Sequence, residues 1–285
     1  MEKKLCIVTG ANRGIGRAIA EDIARQEHQV VLVCRNEDSG KAVLNKLRTS
    51  YGNSTTELVI GDLSSIAKTK ALAKILLERY PRINVLIHNA GIWPSKLIKN
   101  EDGLELAFTV NYLSLFYLTH LLLDRLKESA PVRIVLVSAA LYSRGSVNMK
   151  LTPWGGDFHR LKTYMNTKLC GILFMRKLAP QLDGTGITIN AVHPGVIRTG
   201  LGNFGGPLGL MLRIVKRMFK APEYGAKGPI HLALSPDIQS NGCYYDKLQE
   251  NKLGGEALDD NLADQLWHLS KQLCGIHSYF TKPGE

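Results

Sequence analysis

Two side chains suited to proton transfer, Tyr164 and Lys168, stand four residues apart in the stretch YMNTK. On a helix this spacing places the phenol and the ammonium group on one face. A phenol with an ordinary pKa of about 10 is a poor base near neutral pH. Because an ammonium cation one turn away favours the phenolate, Tyr164 is predicted to act as a general acid and base in alcohol–carbonyl exchange.

A glycine-rich segment near the N-terminus is the second chemical pattern. Glycines at 10, 14 and 16 permit a tight turn and let backbone N–H groups approach a pyrophosphate at the start of a helix. Their spacing, GxxxGxG, differs from the GxGxxG of the general dinucleotide fingerprint. The segment is therefore predicted to bind nucleotide phosphates.

The end of the second apolar run indicates which nucleotide would bind. An NAD site typically has Asp or Glu there, which binds a ribose hydroxyl. This chain has Cys34-Arg35-Asn36 instead. Arg35, together with Arg13 in the glycine-rich segment, would clamp a 2′-phosphate through charge-assisted hydrogen bonds. The expected cofactor is therefore NADP(H).

The elements that must position these residues alternate along the chain. Short β-branched runs predict strands at 5–9, 29–34, 56–60, 83–88, 132–138 and 187–192, and a further strand near 243–245. Helical patterns lie between them at 15–26, 39–48, 64–79, 103–128 and 161–182. Such alternation predicts βαβ units. We therefore expect an α/β fold, a Rossmann-type doubly wound parallel sheet of about seven strands with helices on both faces.

Composition limits the classes of protein that fit. With 285 residues, 45% of them hydrophobic, the chain suits one domain spanning 1–285. Its five cysteines are far apart and form no CxxC pair, which indicates reduced thiols and no metal site. The net charge of +11 comes without clustered basic residues interleaved with aromatics, so nucleic acid is not an expected partner. No signal peptide or bilayer-spanning run is evident, and a cytoplasmic location is expected.

Taken together, the motifs resemble those of the short-chain dehydrogenase/reductase family over nearly the whole chain. TGANRGIG, HNAG, YMNTK and HPG occur in the family's order and at its separations. Within the family, VCRNEDSGK, KLCGILF and VHPGVIRTGL look most similar to the retinol dehydrogenase-like group. The resemblance implies a Rossmann fold, a nicotinamide cofactor and a Tyr/Lys/Ser/Asn tetrad.

Carried over by position, the resemblance assigns roles to individual residues. Tyr164 would exchange the proton, and Lys168 would hold the nicotinamide ribose and lower the tyrosine's pKa. Asn111 would bend its helix and anchor a water in the proton relay, while His88, which replaces an asparagine common in the family, would serve the structure. The implied cofactor-binding residues are Gly10, Asn12, Arg13, Gly14, Ile15, Gly16, Arg35, Asn36, Asp62, Leu63, Asn89, Ala90, Gly91, Tyr164, Lys168, Pro194, Gly195, Val196 and Thr199.

One tetrad position departs from the family. The family's strand ends Val-Ser-Ser, and its second serine polarises the substrate oxygen, whereas this chain has Ser138 followed by Ala139. Ser138 would point to the opposite side of an ideal strand. Three interpretations stay open: an engineered inactivating substitution, a natural enzyme with a substitute hydroxyl from Ser138 or Ser143, and a naturally impaired protein.

The segment 200–221 stands where the family has its substrate lid. Over 208–220 one helical face is apolar and the other is basic, so the segment is expected either to pack on the domain or to contact a membrane peripherally. The predicted function is NADP(H)-dependent interconversion of a hydrophobic alcohol and its aldehyde or ketone, such as a retinoid, a steroid or another lipid. The alternative is an NADP(H)-binding regulatory or scaffold protein. The resemblance also suggests a homodimer.

Overall fold

The β-branched runs pair into one sheet of eight strands in a computed structural model that describes residues 3–52, 54–198 and 220–280. The strand order is β3-β2-β1-β4-β5-β6-β7-β8, and all neighbours are parallel except β7 and β8. In chain order, β1 to β8 are Leu5–Thr9, Gln29–Cys34, Glu57–Ile60, Val85–His88, Val132–Val137, Ile187–His193, Tyr244–Asp246 and Gln249–Asn251.

Seven helices of the described residues cover both faces of the sheet. In chain order, α1 to α7 are Gly14–Arg25, Glu37–Tyr51, Ile66–Arg79, Leu106–Glu128, Arg160–Leu178, Pro222–Leu234 and Asp260–Leu273. Helices α1, α2 and α6 pack on one face, and α3, α4, α5 and α7 pack on the other. The predicted α/β class, with its Rossmann-type doubly wound sheet, is confirmed.

The structure differs from the sequence-based expectation at the last strands. The sheet has an eighth strand, Gln249–Asn251, which pairs antiparallel with β7. This strand carries no apolar residue and is fully exposed, so it lacks the alternation that identifies a half-buried strand. Its tight turn uses Lys247 at a φ of 61°, where a glycine would have signalled a hairpin.

Helix α4 is the structural support beneath the cleft described below. It begins at Leu106, three residues later than expected, because the carboxylate of Glu105 caps it by accepting the Phe108 N–H at 2.6 Å. Among the residues that the structure describes, this helix alone is long and apolar enough to span a membrane, but 83% of its most apolar window is buried in the fold. A π-helical segment, Thr109–Leu113, interrupts it around Asn111.

The turn between β1 and α1 depends on close backbone approach. Gly10 has a φ of +67°, a left-handed conformation that side chains disfavour. Gly16 lies against the Gly10 carbonyl oxygen and the Asn89 amide, so a Cβ at this position would overlap both. The glycine at 16 is therefore needed for α1 to start close to the ends of β1 and β4.

We expect Gly16→Ala to lower the free energy of unfolding by about 1–3 kcal/mol, because the added methyl group displaces backbone rather than a flexible side chain. Gly171→Ala is the matched control: a Cβ there meets no atom within 4 Å, and alanine suits a helix interior better than glycine. Urea denaturation of both variants measures the difference. Equal stability of the two would contradict this account of the turn.

Candidate active site

A cleft of about 550 Å³ opens along the carboxyl ends of β1, β2, β4 and β5. This is the edge at which neighbouring strands β1 and β4 send their chains to opposite faces, the usual position of ligand sites in open α/β sheets. The volume lies in the range of small-molecule sites. Predicted residues that line the cleft are Gly10, Asn12, Arg13, Gly14, Ile15, Gly16, Arg35, Asn36, Asp62, Leu63, Asn89, Ala90, Gly91, Ser138, Tyr164, Lys168 and Pro194.

A few predicted residues are not part of this lining. Asn111 lies against a smaller cavity behind the cleft, which it shares with Ser138 and Lys168. Ala139 is buried and does not line the cleft. Val196 is 62% exposed, and neither Val196 nor Gly195 lines the cleft. Thr199 and residues 200–219 of the predicted lid lie outside the described residues.

The cleft also contains residues that the sequence analysis missed. They are Val33, Cys34, Ser39, Gly61, Ile92, Leu106, Val110 and Val137. Most of them lie close in sequence to a predicted residue at a strand end, and this closeness could have identified them as lining residues. Ser39 is polar: its hydroxyl accepts from the Asn12 amide at 2.9 Å and donates to the Asn36 carbonyl at 3.2 Å. It thereby ties the glycine-rich turn to the start of α2.

Tyr164 and Lys168 lie in the first half of α5 and face the cleft together. The Lys168 ammonium donates to the Val137 carbonyl oxygen at 2.8 Å, which joins α5 to the end of β5. The ammonium nitrogen lies 5.8 Å from the centre of the Tyr164 ring. The phenol ring also stacks on Trp93, with the ring centres 4.6 Å apart and an angle of 15° between the planes. Tyr164 is thus in contact with an indole and close to a cation.

Burial controls the protonation of this pair. It raises the pKa of Tyr164 to about 12 and lowers the pKa of Lys168 to about 8, because both charged forms lose hydration. The direction for Tyr164 is opposite to the lowering expected from the sequence. The lysine cation is close to the ring, but desolvation of the phenolate outweighs it. At neutral pH the pair is a neutral phenol beside an ammonium ion.

Asn111 connects three elements around the tyrosine. Its amide nitrogen donates to the Ile92 carbonyl at 2.9 Å and to the Thr167 hydroxyl at 3.0 Å, and its oxygen accepts the Ile92 N–H at 2.7 Å. Thr167 in turn donates to the Tyr164 carbonyl at 2.8 Å. Asn111 therefore fixes the loop after β4 and the helix that carries Tyr164. Asn111 lies within the π-helical segment Thr109–Leu113, which no local sequence pattern predicted; the bend expected at Asn111 stays a prediction.

Two of the predicted cofactor-binding residues, Asn89 and Asp62, are held by short polar contacts. Asn89 donates to the carbonyl oxygens of Thr9, at 2.8 Å, and Gly10, at 3.3 Å. Asp62 accepts from the backbone and the hydroxyl of Ser64. Burial opposes ionisation of Asp62, but these hydrogen bonds and the charges of Lys68 and Arg35 lower its pKa.

The two arginines of the expected phosphate clamp, Arg13 and Arg35, are exposed at the rim of the cleft. No salt bridge among the described residues engages either guanidinium. Between them, Asn36 begins α2 by accepting the Ser39 N–H at 2.9 Å. This end of the cleft can therefore offer two cationic donors to an anionic ligand.

His88 serves the structure, in agreement with its expected use. Its ring nitrogen Nε2 shares a hydrogen bond of 2.9 Å with the Thr119 hydroxyl, and burial lowers its pKa to about 3. The imidazole is therefore neutral across the physiological range.

The hydroxyl groups near the end of β5 differ in what they face. Ser138 lines the cleft, and its hydroxyl is buried without a hydrogen-bond partner among the described residues. The Ser143 hydroxyl instead donates to the Ala140 carbonyl at 3.1 Å in an exposed turn. Ser138 is thus the serine at this strand end that lines the cleft, with its hydroxyl buried, while Ser143 does not fold back toward it.

Comparisons with known proteins agree with this architecture. A family model described as short chain dehydrogenase matches residues 4–204. Retinol dehydrogenase 14 of Mus musculus is 38% identical, with 97% of this chain and 87% of that protein aligned. Dehydrogenase/reductase SDR family member 13 of Bos taurus is 39% identical over 96% of this chain and 74% of its own length. The crystal structure of an uncharacterized protein from Mycobacterium paratuberculosis matches with a TM-score of 0.76 and 25% identity, covering 96% and 94% of the two chains.

The burial of the charged Lys168 side chain is expected to lower the free energy of unfolding at neutral pH. Because its pKa of about 8 in the fold lies below the ordinary lysine value of 10.5, the charged side chain destabilises the fold at pH 7. This penalty fades as pH rises from about 8 to about 10.5. We expect Lys168→Met to raise the free energy of unfolding by about 1–3 kcal/mol at pH 7, and by much less near pH 10.

Denaturant unfolding at the two pH values measures this difference. Lys162→Met, a change of an exposed lysine on the same helix, is the control and should show little dependence on pH. A destabilised Lys168→Met variant at pH 7 would show that the bond to the Val137 carbonyl outweighs the cost of burying the charge.

Proposed function

The chain belongs to the short-chain dehydrogenase/reductase family, and we propose that it is an NADP(H)-dependent oxidoreductase that interconverts a hydrophobic alcohol and its aldehyde or ketone. The family uses nicotinamide cofactors. The observation that carries the proposal is that the buried Tyr164–Lys168 pair and the glycine-rich turn line one cleft.

The residues of the cleft fit a dinucleotide. The turn after β1 meets the end of β4 at glycines that leave no room for side chains. Helix α1 begins at the same point, so its N-terminal N–H groups are close to the cleft. Asp62, Asn89, Ala90 and Gly91 line the cleft; Asp62 would accept from an adenine amino group, and the other three would form a wall on the ribose side. When bound, the nicotinamide supplies or accepts the hydride.

Arg13 and Arg35 support a preference for the phosphorylated nucleotide. Both line the rim and are free of salt bridges to other described residues, so both can donate to a 2′-phosphate without first losing a partner. An acidic residue, which would repel that phosphate and bind the ribose hydroxyl of NAD, is absent at position 35.

Tyr164 would carry the proton. Its raised pKa keeps it a neutral phenol at neutral pH, the form that can donate to an oxygen gaining negative charge as a carbonyl is reduced. Lys168 would hold the ribose and stabilise the phenolate left after transfer. Asn111 would position both through Thr167 and the loop after β4.

We expect Arg35→Ala to weaken NADPH binding by about 10- to 100-fold and to leave NADH binding nearly unchanged, because a charge-assisted hydrogen bond is lost only with the phosphorylated ligand. Titration calorimetry with both nucleotides measures this. Arg25→Ala, an exposed arginine at the far end of α1, is the control. Equal losses for NADPH and NADH would count against the proposed preference.

Two observations support a lipophilic substrate: the names of two relatives and the apolar surface of Trp93 beside Tyr164. Relatives named as retinol dehydrogenases match over most of this chain, and that name implies a hydrophobic alcohol. Trp93, stacked on Tyr164, offers an apolar surface beside the reactive phenol. The homodimer and the membrane contact through 208–220 stay predictions, and 208–219 lies outside the described residues.

The alternative function, an NADP(H)-binding protein with impaired turnover, is favoured by one observation. Ala139 occupies the family's serine position, so the donor that would stabilise charge on the substrate oxygen is missing. In comparable sites such a donor is worth about 10²- to 10³-fold in rate. Ser138 lines the cleft with an unpartnered hydroxyl and is the candidate for a substitute.

NADPH oxidation with a panel of lipophilic aldehydes and ketones tests the proposed function. We expect measurable turnover by this chain, and an increase of about 10²-fold in kcat/KM for Ala139→Ser because a donor is restored. Ala140→Ser adds a hydroxyl to the neighbouring exposed residue and should change nothing.

The outcomes separate the two functions. Comparable rates for this chain and Ala139→Ser would show that another hydroxyl has the role, and Ser138→Ala should then abolish turnover. NADPH binding without turnover by this chain, with turnover by Ala139→Ser, would establish the alternative.

A further inference from the structure

Five large apolar side chains are partly exposed in the segments that follow β4 and β5 and at the start of α5. Each is 36–43% exposed. They are Leu97, Ile98, Leu151, Trp154 and Leu161, and together with the lysines described below they are called the mouth face. Single exposed apolar residues are ordinary on soluble proteins, but several that adjoin one another indicate a contact surface.

Contacts between the loop after β4 and the loop after β5 bring part of this set together. Leu97 lies directly against Gly155, where a Cβ would overlap it, and Leu151 packs over Gly156 at 3.0 Å from the position of such a Cβ. The backbone of the first loop is bonded to α4 through the Ile98 carbonyl, which accepts the Leu106 N–H at 2.9 Å. The adjoining Glu105 N–H donates to the Pro153 carbonyl at 2.8 Å. The apolar tips therefore share a rigid base.

The charge around these tips is positive. Lys96, Lys99, Lys150 and Lys162 are exposed and alternate with the apolar residues along the chain. Of these, only Lys162 approaches a carboxylate of the described residues within salt-bridge range, that of Asp157 at 4.0 Å. The Asp157 side chain is itself 13% exposed and accepts from Thr152, so it adds little negative charge to the surface.

The other acidic groups close in sequence to the mouth face are buried or engaged in hydrogen bonds elsewhere. Glu105 is fully buried beneath the loops. Glu101 and Asp102 are bonded to Ser65 and to the Ile66 N–H at the start of α3. Aliphatic tips, an exposed indole and a surrounding set of lysines are the combination that suits the headgroup boundary of a bilayer, where indoles and lysine stems lie between hydrocarbon and water.

The mouth face is connected to the reactive end of the cleft. The Trp93 indole stacks on Tyr164 and donates to the carbonyl oxygen of Arg160 at 2.7 Å, one residue before Leu161. A surface seated on Leu161 would consequently lie beside the opening that leads to the phenol.

We propose that the mouth face docks this protein on an anionic phospholipid bilayer. The leucines, Ile98 and Trp154 would enter the headgroup region, and the lysines would pair with lipid phosphates and carboxylates. Docking in this orientation turns the cleft toward the membrane. A lipophilic substrate would then reach Tyr164 directly from the bilayer, and only this consequence rests on the proposed function. The docking itself requires neither nucleotide nor turnover.

Vesicle co-sedimentation tests the proposal with phosphatidylcholine vesicles that contain or lack phosphatidylserine. We expect the chain to bind the anionic vesicles. The variant Lys96→Glu/Lys99→Glu/Lys150→Glu should bind at least about tenfold more weakly, since each lysine near the surface contributes to attraction. Lys70→Glu/Lys74→Glu/Lys252→Glu changes the net charge equally at exposed lysines of α3 and the segment after β8, and should retain binding within about twofold.

Fluorescence quenching by brominated phospholipids reports the apolar part of the contact. We expect quenching in the unchanged chain and a clear decrease in Trp154→Phe, because Trp267 is buried in the core and Trp93 is half-buried against Tyr164. Circular dichroism and thermal unfolding of each variant check that the fold is retained.

Three results would overturn the proposal: no binding to anionic vesicles, equal loss for the two triple variants, or quenching unchanged in Trp154→Phe. Binding that survives the mouth-face changes but is lost on charge reversal of Arg213, Lys216, Arg217 and Lys220 would assign the contact to 208–220 instead. None of these measurements uses catalytic activity, so failure of the docking and failure of the proposed function are distinguishable.

Discussion

The ends of β1 and β4 are held together by a small set of hydrogen bonds on which the cleft depends. The Thr9 hydroxyl accepts the N–H groups of Asn89 and Ala90, both at 3.0 Å, and donates to the Ile87 carbonyl at 3.3 Å. Asn89 returns two hydrogen bonds to the carbonyls of Thr9 and Gly10. These bonds fix two adjoining strands at the point where their chains part toward opposite faces. The gap that results is the cleft, and the glycine-rich turn, the segment from Asn89 to Gly91 and the base of α1 take their positions from it.

The reactive pair shows what this scaffold must support. Tyr164 and Lys168 are buried at the cleft wall, and burial disfavours the charged form of each. Such an arrangement persists because neighbours over-determine it: Val137 holds the ammonium, Trp93 covers the phenol, and Asn111 acts through Thr167 on the helix backbone. Functional sites commonly keep polar groups where a stability-optimised sequence would have apolar ones.

Much of this arrangement was predictable because its signals are local. Apolar runs and glycine spacing identify the first six strands and the glycine-rich turn, and parallel connectivity then brings Gly10, Asn89 and Tyr164 to one edge. Other features depend on packing between distant segments. The direction of the Tyr164 pKa, the bond from Lys168 to the Val137 carbonyl and the placing of Ser138 rather than Ala139 in the cleft have no counterpart in any short pattern.

The strand that sequence patterns missed, β8, has a consequence for how the protein behaves at high concentration. An open sheet ends in unpaired backbone groups that can recruit a strand from another molecule. Here that edge is only three residues long, bears Gln249, Glu250 and Asn251, and leads directly into Lys252. Shortness and charge make it a poor template for strand addition. Because β8 has no apolar residues, periodicity does not detect it, and the same lack of apolar residues disfavours aggregation at this edge.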